Sequence, residues 1–262
     1  MNRYKNFQVN MRLAVIIEYE GTRYHGFQYQ TNASTVQEEL ENSIERLTGR
    51  KTRITAAGRT DAGVHARNQV ATFDTNSDLK TNRIADGMNH YLPEDIVIKK
   101  VVQVGKNFDP RRDAKSRVYR YSIFNSNFHS PLKRLYTHCV TGYLDRDLMC
   151  EGAKLFLGEH DFSKFAGKVE DNKTTVRMIY RSEWTYERET LTYEVEGTAF
   201  LSHQVRRMVG SLLDLGRGNL KLPDVQDLIS GEGSARSNSM PARGLCLEKI
   251  IYENYCDLTP VN

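Results

Sequence analysis

Long apolar runs are missing from this sequence of 262 residues. The strongly apolar stretches are as short as Leu13 to Ile17, whereas a helix that spans a bilayer needs about 20 such residues in succession. No membrane association is expected. Met1 to Asn10 is polar and lacks the apolar core of a signal peptide. Cysteine is scarce: Cys139, Cys150, Cys246 and Cys256 are the only four. None forms a C-x-x-C pair, and no histidine pair stands at zinc-finger spacing. The expectation is a cytoplasmic protein with reduced thiols and no metal centre. No short internal repeat or low-complexity tract is present, which excludes solenoid and array architectures.

What is present is an ordinary folded composition. Hydrophobic residues make up 39% and charged residues 27%, which excludes a disordered chain. The length suffices for a sizeable core. The net charge of +4 and the pI near 8.8 lean weakly toward polyanionic partners. Distribution says more: Arg111, Arg112, Lys115, Arg117 and Arg120 are clustered, and Arg206 and Arg207 are adjacent. Such clusters are often only solvated surface, but they also suit a nucleic acid.

The periodicities predict an ordered series of elements. Met11 to Glu20 reads as a strand. Val36, Leu40, Ile44 and Leu47 recur at helical spacing, with Thr35 and Glu38 as a capping box and Gly49 as a stop. Strands are predicted over Lys51 to Ala57, Gln69 to Thr75 and Ile96 to Val104, with a helix over 80–91 halted by Pro93. This β-α-β-β-α-β order is the ferredoxin-like one. It then repeats: a strand over Val118 to Asn125, a helix over 146–157, a hairpin of Val176 to Glu187 and Leu191 to Phe200 around Arg188-Glu189-Thr190, a helix from Ser202 to Leu215, a short helix at 223–230 and a strand from Leu245 to Tyr252. The stretch Gly231 to Gly244, rich in glycine and serine, is expected to be mobile. The fold class is therefore α+β, with two tandem halves, 1–105 and 106–262, whose sheets are mainly antiparallel and flanked by helices. Neither third strand carries the aromatic signature of a simple RNA-recognition module.

The sharpest local feature joins the second and third strands: Gly58-Arg59-Thr60-Asp61-Ala62-Gly63-Val64-His65-Ala66. Asp and Gly alone would suit a plain turn. Yet a carboxylate, a guanidinium and an imidazole share this connector, and its glycines permit close backbone approach to a ligand. The stretch resembles the signature of the tRNA pseudouridine synthase A family. The resemblance extends through Glu18 to Gln28, Ser116-Arg117-Val118-Tyr119-Arg120-Tyr121, Phe200 to Gly210 and Ala242-Arg243-Gly244-Leu245, in the family's order and over nearly the whole chain.

That resemblance implies the pseudouridine synthase fold and an isomerase acting on uridine in the anticodon stem-loop of tRNA, at tRNA positions 38, 39 and 40. The base is detached from C1′, turned and rejoined through C5. Neither cofactor nor metal is implied. Asp61 aligns with the catalytic aspartate, as nucleophile or as stabiliser of a glycal path. Arg206 aligns with its arginine partner, and Gly210, one turn on, is expected to leave room beside the Arg206 stem. Tyr119 aligns with the pocket tyrosine and shares a strand face with Arg117, both expected at the substrate; Leu245 would line the same pocket. Arg59 aligns with an arginine that fills the space left by a flipped base. His65 is expected to support the loop by hydrogen bonding. A homodimer with a shared cleft, and tRNA phosphates against the basic cluster, are also implied. Three positions depart from the family pattern: Asn68 for glycine, expected to hold a left-handed backbone, Phe27 for tryptophan and Ser202 for histidine. The competing reading is a non-catalytic RNA-binding or RNA-chaperone protein of the same fold. A carboxylate paired with arginine in an RNA site argues against it, because the carboxylate repels phosphate. An aspartate-nucleophile phosphotransferase ranks lower still, since no second carboxylate stands by for Mg²⁺.

Overall fold

A computed structural model describes residues 11–167, 174–232, 237–255 and 258. The first half is built from β1 (Met11–Tyr19), α1 (Val36–Thr48), β2 (Thr55–Ala56), β3 (His65–Thr75), α2 (Thr81–Tyr91) and β4 (Ile96–Val104). The second contains β5 (Ser116–Asn125), β6 (His138–Val140), α3 (Arg146–Lys154), β7 (Gly158–Asp161), β8 (Val176–Glu187), β9 (Thr190–Gly197), α4 (Gln204–Gly216), α5 (Leu222–Ser230) and β10 (Leu245–Ile251). Helix α1 buries Val36, Leu40 and Ile44 on one face. Its N-terminus is capped by Thr35, whose hydroxyl accepts the Glu38 N–H at 3.3 Å, and it ends on Gly49 with φ of 72°. Leu92 is extended, as the residue before Pro93 must be, so α2 stops there.

Among the described residues, ten strands form one sheet in the order β4-β1-β3-β10-β5-β9-β8-β7, with β2 added to β3 and β6 to β5. Within it, β4-β1-β3-β2 and β10-β5-β9-β8 are the same ferredoxin-like order met twice. The two meet where β10 pairs in parallel with β3, Cys246 opposite His65 and Leu247 opposite Ala66; the other pairings, apart from that of β5 with β6, are antiparallel. Helices α1 and α2 pack on each other, as do α3, α4 and α5. A continuous hydrophobic core runs from Leu13 and Val70 in the first half to Leu212 and Leu247 in the second.

Several expectations are corrected. The strand expected over Lys51 to Ala57 shrinks to two residues, because the Ile54 N–H is taken by Glu41 Oε1 at 3.2 Å and not by a neighbouring strand. Strand β3 begins four residues early, at His65, because β10 pairs with His65 and Ala66 and Tyr19 of β1 with Ala66. The turn of the β8–β9 hairpin is two residues, Arg188-Glu189, with Arg188 at φ of 54°. Strands β6 and β7 were not anticipated; both are short, three and four residues. Asn68 is not left-handed: it lies within β3, donating to the Glu248 carbonyl at 2.7 Å and accepting from Lys99 Nζ at 2.9 Å. Of the stretch expected to be mobile, 233–236 lies outside the described residues, as do Met1 to Asn10 and Cys256.

Candidate active site

Asp61 stands on the loop between β2 and β3, and that loop is strapped from below. The loop after β1 runs against it: Phe27 N–H donates to the Thr60 carbonyl at 3.1 Å, and Gly63 N–H donates to the Tyr24 carbonyl at 3.2 Å. The Tyr19 and Thr60 hydroxyls meet at 2.8 Å in the core. Val64 N–H closes a turn on the Asp61 carbonyl at 3.1 Å, with Gly63 at φ of 75° in its third position, where only glycine sits without strain. A Cβ on Gly21 would clash with the Val64 carbonyl. This explains why the Glu18 to Gln28 stretch and the Asp61 loop belong to one motif set: the first is the seat of the second.

His65 fixes the loop's far end. Its Nδ1 accepts the Gly21 N–H at 3.0 Å, and its Nε2–H donates to the carbonyls of Leu135 at 2.9 Å and Arg243 at 3.2 Å. These partners require the neutral Nε2–H tautomer. Burial pushes the imidazole pKa down in the same sense. His65 is thus a support, as expected.

Helix α4 brings the cation. Arg206 Nη1 lies 3.4 Å from Asp61 Oδ2, while its Nε donates to the Met240 carbonyl at 2.6 Å. One end of the fork is held by the backbone so that the other faces the carboxylate. Gly210 does not make room for the Arg206 stem. Its bare Cα admits the backbone of Asn238, against which any Cβ would collide. That contact seats the 237–240 segment from which Met240 reaches Arg206.

Two further groups crowd Asp61. The Ser202 hydroxyl donates to Oδ1 at 3.3 Å, and His203 Nε2 lies 3.6 Å from Oδ2. His203 has φ of 63°, a left-handed backbone uncommon outside glycine. The bend it makes starts α4 and turns its ring toward the carboxylate. Neither residue was singled out from sequence, although both lie inside the quoted Phe200 to Gly210 block. The left-handed bend has no signature in residue type, and Ser202 had been noted only as a departure.

These groups share a cavity of about 560 Å³, within the range of small-ligand sites. Arg59, Asp61, Arg117, Tyr119 and Leu245 all line it; Arg206 reaches Asp61 from its edge. Arg59 is exposed. Tyr119 is 8% exposed and meets the edge of Phe200 with ring centroids 5.2 Å apart. Burial, with the Asp61 charge adding to it and Arg117 opposing it, pushes the phenol pKa up, so the hydroxyl keeps its proton. Arg117 is buried, and its two terminal nitrogens donate to four carbonyls, those of Ala114, Thr198, Ala57 and Arg111, at 2.6 to 3.2 Å. Ala57 leads into the Asp61 loop and Thr198 toward α4, so Arg117 clamps the cavity's two walls together. Tyr121, next on the same face, donates to the Pro241 carbonyl at 2.8 Å, and its ring fills the space a Cβ on Gly244 would need. Among the described residues no three His, Cys, Asp or Glu side chains cluster to hold a metal ion, and no helix is long and apolar enough to cross a membrane.

A family model described as tRNA pseudouridine synthase matches residues 15–112 and 153–253. The chain belongs to the tRNA pseudouridine synthase family. Among its relatives, the tRNA pseudouridine synthase A of Acetivibrio thermocellus is 42% identical over 239 residues, covering 91% of this chain and 98% of the relative. That of Geotalea daltonii is 40% identical over 241 residues, covering 92% and 99%, and that of Myxococcus xanthus is 40% identical over 247 residues, covering 93% and 92%. The two matched stretches carry Asp61 and Arg206 respectively, so the family likeness covers both sides of the ion pair. Tyr119 falls between them.

Proposed function

We propose that this protein is a tRNA pseudouridine synthase that isomerises uridine in the anticodon stem-loop, at tRNA positions 38, 39 and 40, with Asp61 as its catalytic carboxylate. The observation that carries this reading is the Asp61–Arg206 pair, contributed by opposite halves of the chain and set at the wall of a cavity with Tyr119. The carboxylate attacks or stabilises the reacting sugar or base while the C1′–N1 bond breaks; C1′ then joins C5, the C5 proton leaves and N1 gains one, so atoms balance without a co-reactant. Arg206 orients the carboxylate and offsets its charge. Tyr119 and Phe200 offer aromatic edges and faces to the uracil, and Leu245 closes the apolar side. The protonated Tyr119 hydroxyl is placed as a hydrogen-bond donor to the turning base. Arg117 acts by holding the walls at their spacing. A uridine paired in a stem reaches this cavity only after flipping, at a cost of a few kcal/mol, and exposed Arg59, two residues from Asp61, fills the gap it leaves. The protein works in the cytoplasm as a homodimer whose cleft is shared between subunits.

The alternative, an RNA binder without chemistry, is disfavoured by the same pair, since a carboxylate in the wall of an RNA cavity repels phosphate. Asp61→Asn separates the two. The variant should fold and bind tRNA transcripts while forming no pseudouridine, as read by chemical mapping of the product. Undiminished isomerisation by Asp61→Asn would end the proposal, and tRNA binding by wild-type protein with no product at stoichiometric enzyme would favour the binder.

A further inference from the structure

The basic cluster between β4 and β5 is less uniform than its sequence suggests. Arg112 is paired with Asp109 at 3.0 Å. Lys115 is paired with Glu253, and Arg120 with Glu194 at 3.1 Å. Arg117 is committed to carbonyls. Arg111 alone in this group has neither a carboxylate within ion-pair distance nor a carbonyl on its guanidinium among the described residues, and Arg111 lines the cavity.

Its backbone is held firmly. Asp109 Oδ1 accepts the N–H groups of Arg111 and Arg112, each at 2.9 Å. The Tyr252 hydroxyl donates to the Pro110 carbonyl at 2.7 Å, and Arg117 Nη2 donates to the Arg111 carbonyl at 2.6 Å. A rigid turn therefore presents an exposed, unpaired guanidinium to the cavity.

A second guanidinium lines the same cavity. Arg177, at the start of β8 opposite His160, uses Nη1 on the carbonyls of Thr174 and Val176 at 2.8 and 2.6 Å. Its Nε is buried and has no partner among the described residues. Burial and the Arg111 charge both disfavour its protonated form, and Arg111 acts on Arg117 in the same sense. Three guanidiniums crowd one side of the cavity while the protein's own carboxylate there, Asp61, is engaged by Arg206. Such crowding of like charge is relieved when an anion enters.

We propose that Arg111 and Arg177 form a phosphate subsite that binds one backbone phosphodiester beside the flipped nucleotide. The inference rests on the reading of the cavity as a uridine site and adds the subsite that holds the ribose in place. Arg111, with no partner on its guanidinium among the described residues, can offer its fork to paired phosphate oxygens, Arg177 adds its charge and the Nη2–H groups left over from Thr174 and Val176, and an anchored phosphate leaves the attached ribose little freedom before Asp61.

The test uses an anticodon stem-loop RNA with a single uncharged methylphosphonate at each phosphate in turn, bound to the full-length protein and to Arg177→Gln and Arg111→Gln. One neutralised position should weaken wild-type binding roughly tenfold and weaken neither variant further. Each variant should also lower the slope of log affinity against log salt by about one. Arg177→Lys, which keeps the charge, should retain most of the affinity, and thermal midpoints check that each variant is folded; if Arg177→Gln is not, Arg111→Gln on its exposed turn carries the comparison. Variants that bind every RNA as the wild type does, or losses that add at all positions, overturn the subsite. Absence of pseudouridine on the unmodified RNA would strike the uridine reading instead, because the coupling is measured by binding alone.

Discussion

The hydrogen bonds of His65 favour one protonation state, and the Glu20 carboxylate 3.5 Å from Nδ1 offsets only part of the cost of a second proton. With Nδ1 accepting from Gly21 and Nε2–H donating to two carbonyls, a second proton would turn a hydrogen bond into a clash of donors. Burial lowers its pKa below the ordinary imidazole value of about 6.5. In the pH range between the two values the unfolded chain binds more protons than the folded one, so stability is complete above about pH 6.5 and falls as the solution is acidified. His138 is shifted the same way by burial and by Arg243 and Arg217. Unfolding free energies from urea titrations should therefore drop between pH 7.5 and 5.5, and His65→Gln should show a shallower drop on a lower baseline. A variant with the wild-type slope would show that His65 does not carry this dependence. Arg117 makes a related point about single residues: a buried guanidinium answered by four carbonyls stitches two loops from different halves, a job that strand alternation alone does not distinguish from contact with a ligand.

Elements of strong periodicity were legible in the sequence because their cause is local. Helix α1 could be bounded from Thr35 to Gly49 since both caps are chemical signals carried by those residues. The hairpin of β8 and β9 could be placed by its alternation, and the Asp61 loop by its glycines and its family likeness. What was not legible depends on partners far away in the chain. Strand β3 starts at His65 because β10 lies beside His65 and Ala66 and β1 reaches Ala66 from the other side, and Gly210 owes its bare Cα to Asn238. The Asp61–Arg206 pairing is legible only through the family resemblance, because the two residues stand 145 positions apart in the chain. Gly21 shows how the loop after β1 acts as one unit with the Asp61 loop. Gly21→Ala forces a methyl into the Val64 carbonyl, which cannot rotate away as a side chain would. The variant should lose about 1–3 kcal/mol of stability, and kcat should fall along with the thermal midpoint, because the displaced segment carries Asp61. An alanine variant with unchanged melting and turnover would show that the two loops are not rigidly seated on one another.

At the scale of the molecule, the two ferredoxin-like halves do not stand side by side as separate sheets. The parallel pairs between β3 and β10 fuse them, and this seam lies directly beneath the cavity, with His65 on one strand and Leu245 at the start of the other. Strand β10 therefore completes the sheet of the first half, and neither half should lose its structure while the other persists. Two probes test this. Trp184, the single tryptophan, lies on β8 and reports the second half. Cys246 lies in the seam and is half-buried; burial pushes its thiol pKa up to about 12, with Glu248 adding to the shift, so it stays protonated at pH 8 and should alkylate slowly until the seam opens. Tryptophan fluorescence and mass-spectrometric labelling of Cys246 should give one urea midpoint. Leu247→Ala, which empties a fully buried position in the seam, should cost about 2–5 kcal/mol and move both midpoints together. If Cys246 became reactive well before Trp184 was exposed, the seam would be a hinge between independently stable halves, and the Asp61–Arg206 spacing would be set by motion between them and not by one continuous sheet.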